Sequence, residues 1–291
     1  MTTRITRREA LGAAVGVALF GTSGGNVMSE DAKLFEKPEG FKGEVKQSVC
    51  KWCFGSYPMA EFCESVKSMG LVGVDLVDPK DWELVRSHGL TVTMGNVPEV
   101  QIAVGINREE NHERIIASYE KHIPMAAELG VPNLISLSGN KNGMDPQDGL
   151  KNCIKALKKV AKLAEAHKVN VCLELLNSKD HRDYMADSVQ WGIDLINGVN
   201  SDRVKLLYDI YHMHRMEGDV INNIRRAFDC IGHFHTAGNP GRNDLDDQQE
   251  LYYPPIIKAI KEMGFKGFIA HEFSPKHGLD SLYAAAKLCD L

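Results

Sequence analysis

The chain has 291 residues, of which 43% are hydrophobic and 25% charged, and its formal net charge is −5. These values suit a globular protein with room for one large domain or two small ones. The acidic balance, with no run of lysines or arginines, argues against a partner held through a nucleic-acid backbone or an anionic membrane.

At the start, "TRITRREALGAAVGVALFGTSGG" puts Arg7 and Arg8 ahead of a short apolar run at 10–20. That run is too short to span a bilayer comfortably. It reads as a secretory signal over residues 1–28, and the paired arginines indicate the twin-arginine route. A periplasmic location is therefore expected, with membrane anchoring if the signal stays uncleaved. Residues 29–44, "SEDAKLFEKPEGFKGE", read as a polar linker, and residues 45–291 as the folded domain.

From residue 45 the chain alternates. Short apolar runs fall at 45–54, 72–77, 90–95, 133–138, 169–176, 204–210, 230–236 and 267–273, and longer stretches with helical spacing separate most of them. "MAEFCESVKSMG" and "HERIIASYEKHIPMAAELG" each close on glycine, as helices often do. "LKNCIKALKKVAKLAEAHK" is apolar every third or fourth residue with lysines opposite. "SVQWGIDLINGV" opens on Ser188, a helix N-cap type. Eight strand–helix repeats predict an α/β fold, a single-domain (β/α)8 barrel. A doubly wound open sheet is the alternative, but no G-x-G-x-x-G follows the first strand. The seven cysteines are too scattered for a disulfide scaffold. Cys50 and Cys53 form a C-x-x-C without the second pair a zinc site needs, so most are expected in the core.

In such a barrel the C-terminal strand ends build the active site. The fifth strand ends with Glu174 and the sixth with Asp209, followed by His212. The seventh, "CIGHFHTAGNPGR", brings His233, His235 and Arg242. The eighth, "GFIAHEFSPKHG", brings His271 and Glu272. Four unrelated buried charges would each need a partner in one small space, whereas one divalent cation satisfies them together. Three carboxylates and an imidazole suit Mn²⁺ or Mg²⁺, with Co²⁺ or Zn²⁺ also accepted. Side chains two apart share a strand face, so His233 and His235 point together and His271 points away from Glu272. His235, nearer the strand end, is the expected ligand. His233 is expected one layer deeper and His271 in a structural role.

"LELLNS", "YDIYHMHRMEGD", "GHFHTAGNPGRNDLDD" and "HEF" resemble the hydroxypyruvate isomerase branch of the xylose-isomerase-like barrels, as does "GINREENHERIIASYEKHIPMAAELGVPNLISLSGN". The likeness covers roughly residues 45–280. It implies metal ligands Glu174, Asp209, His235 and Glu272, with Glu174 and Glu272 also the acid/base pair. It implies a substrate-oxygen contact at His212, and at Arg242 a group for the substrate's hydroxyl or carboxylate end. The implied reaction is aldose–ketose isomerisation of a small hydroxy-carbonyl acid or sugar, of the hydroxypyruvate to tartronate semialdehyde type, through an enediolate. Some members of the branch carry Gln where His235 stands, and the His matches the epimerase pattern.

The alternatives are a ketose 3-epimerase or keto-sugar dehydratase using the same site and, more remotely, a sugar-binding barrel without catalysis. An abasic-site nuclease, another member of the superfamily, would need basic surface for DNA, which the charge balance disfavours. The expected partner is a small hydroxy-carbonyl substrate, with homo-oligomer formation left open. The polar loop "GNPGRNDLDDQQELYYPP" after the seventh strand is placed to cover the site, or is a plain connector.

Overall fold

The computed structural model describes residues 32–291. The signal segment expected at 1–28 lies outside the described residues. Residues 32–44 are coil and turn, yet they pack along the last helix: the Phe35 ring stacks on Tyr283 at 5.0 Å, and the Gly43 N–H donates to the Asp290 carboxylate at 2.8 Å.

Eight parallel strands close a barrel in sequence order. They are β1 (Lys46–Cys50), β2 (Gly73–Val77), β3 (Thr91–Gly95), β4 (Asn133–Ser136), β5 (Asn170–Leu175), β6 (Val204–Asp209), β7 (Ile231–Thr236) and β8 (Phe268–His271). Closure comes from β1 pairing with β8, Val49 opposite His271. The helices around it are α1 (Met59–Ser68), α2 (Trp82–Ser87), α3 (His112–Leu129), α4 (Pro146–His167), α5 (Val189–Val199), α6 (Ile210–Glu217), α7 (Val220–Ala227), α8 (Tyr253–Glu262) and α9 (Leu279–Cys289). Each expected apolar run contains one strand.

Local chemistry sets the helix ends. Asp145 caps α4 by accepting the Gln147 N–H, and Pro146 occupies the first turn, where its missing N–H costs nothing. Ser188 caps α5 by accepting the Trp191 N–H; such a cap contributes about 1 kcal/mol. Gly130 ends α3 in the left-handed region at φ 71°, where a Cβ would be strained.

The apolar core lies between sheet and helices, with Val49, Phe62, Val66, Leu157 and Leu195 fully buried. Inside the barrel the filling is polar: Ser48, Asp75, Thr93, Asp209, His233 and His235 are all without solvent exposure. Burying so many polar groups is costly unless they satisfy one another or a ligand. His271 sits on the helix side of the wall, between the Thr236 hydroxyl and the Gln47 amide oxygen, each at 2.9 Å. The cysteines are free thiols, five buried and Cys53 and Cys230 partly so. No described helix is long and apolar enough to cross a membrane.

Candidate metal centre

Strand ends position the four expected ligands. Glu174 is the penultimate residue of β5, Asp209 the last of β6 and His235 the penultimate of β7, while Glu272 follows β8 directly. Asp209 stands in register with His235 across the β6–β7 pair. One ligand atom from each of Glu174, Asp209, His235 and Glu272 lies within 4.8 Å of the others. His235 Nδ1 is 3.3 Å from Glu174 Oε1 and 2.7 Å from Glu272 Oε2. Those contacts lack hydrogen-bond angles, so Nδ1 and Glu174 Oε1 remain buried without partners. Orphaned acceptors gathered around one point are costly as they stand, and a divalent cation would relieve them. The donor set therefore fits a hard or borderline divalent ion.

Burial raises the pKa of Glu174, and the Glu272 charge adds to this against the opposing His235 contact. Asp209 is also raised by burial, partly offset by Arg242. For Glu272 burial acts upward too, but Arg242 and then His235 outweigh it and hold the carboxyl below its ordinary range. The protein's own groups thus drive the two glutamates in opposite directions.

Arg242 reaches in from the loop after β7. Its Nη2 lies 3.1 Å from Asp209 Oδ2 and 2.5 Å from Glu272 Oε2. Its guanidinium sits over the rings of Trp52 and Tyr211, 5.6 and 5.7 Å from their centroids. The loop is pinned by the Gly238 N–H donating to Asn243 O at 2.8 Å, and by the Ser274 N–H donating to Arg242 O at 2.7 Å. Through Arg242 the loop contributes a side chain to the site. Arg242 Nε is buried without a partner, which leaves one donor for a bound oxygen.

His212 is buried, and burial together with the positive charge of Arg242 keeps its pKa well below the ordinary value. The neutral ring accepts the Asn177 backbone N–H at Nδ1, at 3.2 Å, so its proton sits on Nε2. That Nε2–H is a buried donor without a partner, 3.6 Å from Asp209 Oδ2.

Sequence reasoning missed two contributors. Trp52, in the turn after β1, donates its indole N–H to Glu272 Oε1 at 2.7 Å. Asp75 on β2 lies 3.0 Å from His235 Nε2. A carboxylate inside the apolar run "GVDLV" was as conspicuous as Asp209, whereas nothing local marked Trp52.

The site opens into a cavity of about 470 Å³. Glu174, Arg242 and Glu272 line it together with Asp78, Asn96 and His181, and Leu76, Val97, Val100, Ile102, Leu137 and Leu176 give it a largely apolar surface.

Known proteins place this geometry in context. The profile of the Xylose isomerase-like TIM barrel family matches residues 80–288. Hydroxypyruvate isomerase of Escherichia coli is 26% identical over 237 residues, covering 77% of this chain and 90% of the relative. Among solved structures, AP endonuclease, family 2, from Brucella melitensis superposes with a TM-score of 0.73 at 21% identity, over 81% of this chain and 96% of that one. D-psicose 3-epimerase of Clostridium cellulolyticum, solved with D-tagatose, gives 0.68 at 18% identity, over 84% and 90%. The two structural likenesses speak to the fold.

Proposed function

This chain belongs to the xylose isomerase-like TIM barrel family, and from that premise we propose that it is a divalent-metal-dependent isomerase acting on a small hydroxy-carbonyl compound. The observation that carries this reading is the meeting of Glu174, Asp209, His235 and Glu272 within 4.8 Å, with acceptors left unpartnered. Mn²⁺ or Mg²⁺ is the proposed ion, with Co²⁺ and Zn²⁺ as substitutes. Once bound, the ion would polarise the substrate's carbonyl and neighbouring hydroxyl oxygens, which makes the intervening C–H more acidic.

The chain's own groups supply the proton transfers. One of Glu174 and Glu272 removes the proton α to the carbonyl, it or its partner returns a proton to the adjacent carbon, and the hydroxyl proton passes to the former carbonyl oxygen. This exchanges ketose for aldose. Return to the opposite face of the same carbon would be epimerisation. Arg242 stabilises the ionised form of Glu272, and a bound cation would hold Glu174 ionised against the cost of its burial. The free Nε2–H of His212 and Nε–H of Arg242 would bind substrate oxygens.

The Escherichia coli relative's name supports the hydroxypyruvate to tartronate semialdehyde reaction. A second reading, a ketose 3-epimerase or keto-sugar dehydratase, is favoured by the cavity: about 470 Å³ with an apolar wall is roomy for a three-carbon acid. Turnover of the purified protein on hydroxypyruvate and a ketose panel, before and after chelation and reloading with Mn²⁺, tests both readings. Metal-dependent product from hydroxypyruvate supports the first, and a new epimer from a ketose supports the second. Turnover that survives complete cation removal would contradict both. We also propose export by the twin-arginine route, on the strength of Arg7 and Arg8 ahead of the apolar run. Lysine at both positions should keep the protein out of the periplasmic fraction, and unchanged export would exclude the route.

A further inference from the structure

Beneath the four proposed ligands lies a second polar layer centred on Asp75. This residue has no solvent exposure. Its Oδ1 is 3.0 Å from His235 Nε2 and 3.6 Å from Cys50 Sγ. Its Oδ2 accepts the Thr93 hydroxyl at 2.5 Å and lies 2.9 Å from His233 Nε2. Thr93 is within 2.9 Å of the Ser48 hydroxyl as well, so β1, β2, β3 and β7 all meet at this carboxylate.

The backbone is shaped for this meeting. Gly73 shares Asp75's face of β2, and a Cβ there would come within 2.3 Å of the Thr91 backbone oxygen and 2.6 Å of Thr93 Cγ2. The missing side chain lets β3 pack close against β2, with Thr93 beside the carboxylate. Immediately after Asp75 the β2–β3 register shifts, and Leu76 adopts φ 50°, in the left-handed region. This irregularity allows Asp75 to point into the barrel interior while Leu76 lines the cavity.

We infer that Asp75 is a positioning residue that fixes the tautomer and ring angle of His235, leaving Nδ1 free to ligate a cation. A carboxylate only accepts hydrogen bonds, so its contact with His235 requires the proton on Nε2. In the neutral ring that a cation would require, the lone pair then sits on Nδ1, the nitrogen that faces Glu174 and Glu272. With no acceptor at Nε2, a neutral imidazole could carry its proton on Nδ1 and present an N–H where a ligand is needed. Thr93, and His233 beyond it, keep the carboxylate from rotating away. The inference rests on the reading of His235 as a metal ligand, and deepens it.

Two measurements test it. Calorimetric titration of the chelated, full-length protein with Co²⁺ compares wild type with Asp75→Asn, and the visible absorption of the bound Co²⁺ is recorded alongside. An outer partner of a ligating histidine typically contributes about 10–100-fold in metal affinity. Asp75→Asn should therefore bind Co²⁺ at least about 10-fold more weakly, with an altered Co²⁺ spectrum. Equal affinity and an unchanged spectrum would overturn the role of Asp75 while leaving the metal site standing. Failure of the wild type to bind any Co²⁺ would instead overturn the metal reading, and this inference with it. Should Asp75→Asn fail to fold, the wild type decides. Nitrogen-15 histidine spectra of the Zn²⁺-loaded protein, with His235 assigned by signal loss in His235→Gln, should show the proton on Nε2 and a metal-shifted Nδ1. The reverse pattern would contradict the inference.

Discussion

The two halves of the barrel divide the work unequally. Strands β5 to β8 carry Glu174, Asp209, His235 and Glu272, and the loop after β7 adds Arg242. Strands β1 to β4 and their loops contribute no residue to that candidate ligand set; they supply Asp75 and Thr93 beneath it, Trp52 beside it and most of the cavity's apolar lining. A charged half thus faces a supporting half. The arrangement suggests that proton transfer belongs to the first, while site geometry and substrate shape belong to the second.

The comparison can be broken most sharply in the charged half. Glu174→Gln and Glu272→Gln should each lower kcat by about 10³-fold or more, with circular dichroism unchanged, since positioned acid/base groups contribute about 10²–10⁴. A near-wild-type rate in either variant would remove that residue from the acid/base role. Chelation should abolish turnover and lower the Tm, and Mn²⁺ should restore both. A ligand at 100 times its Kd adds roughly 2.7 kcal/mol of stability, readily seen by calorimetry. Arg242→Ala should raise KM several-fold, and most for substrates with a carboxylate, because a charge-assisted contact is lost. An equal rise for neutral sugars would argue that Arg242 acts only on Asp209 and Glu272.

An effect confined to acid pH is expected outside the barrel interior. Burial holds His271 down to about 3 from an ordinary 6.5, so the ring is neutral in the folded protein. Between pH 6.5 and 3 the unfolded chain binds the extra proton and the folded one does not. His271 therefore makes stability fall as pH falls through that window, by up to about 1.4 kcal/mol per pH unit. In His271→Gln the dependence on pH measured by urea denaturation should flatten there. An unchanged slope would assign the acid sensitivity to other groups.

The same division explains what could be read from the sequence. Strand and helix positions were legible because apolar runs, cap residues and closing glycines act locally, as at Ser188 and Gly130. Glu174, Asp209 and Glu272 stood out because a carboxylate at the end of an apolar strand needs a reason. The supporting half was harder. Trp52 meets Glu272 only through barrel closure, 220 residues away along the chain. Val97, Val100 and Ile102 look like ordinary loop and core residues until the fold lines a cavity with them. Arg242 was assigned to substrate alone, and its contact with two carboxylates depends on how the loop after β7 folds back.

Deuterium exchange tests the central claim most directly. The purified protein, loaded with Mg²⁺ or depleted of cation, would be incubated in D₂O with hydroxypyruvate and with a set of ketoses, and the substrate carbons followed by NMR. Cation-dependent deuterium uptake at a carbon α to the carbonyl, lost in Glu174→Gln and Glu272→Gln, is the predicted result. Uptake that persists in both variants, or its absence from every substrate with the fold intact and cation bound, would contradict proton transfer by this pair.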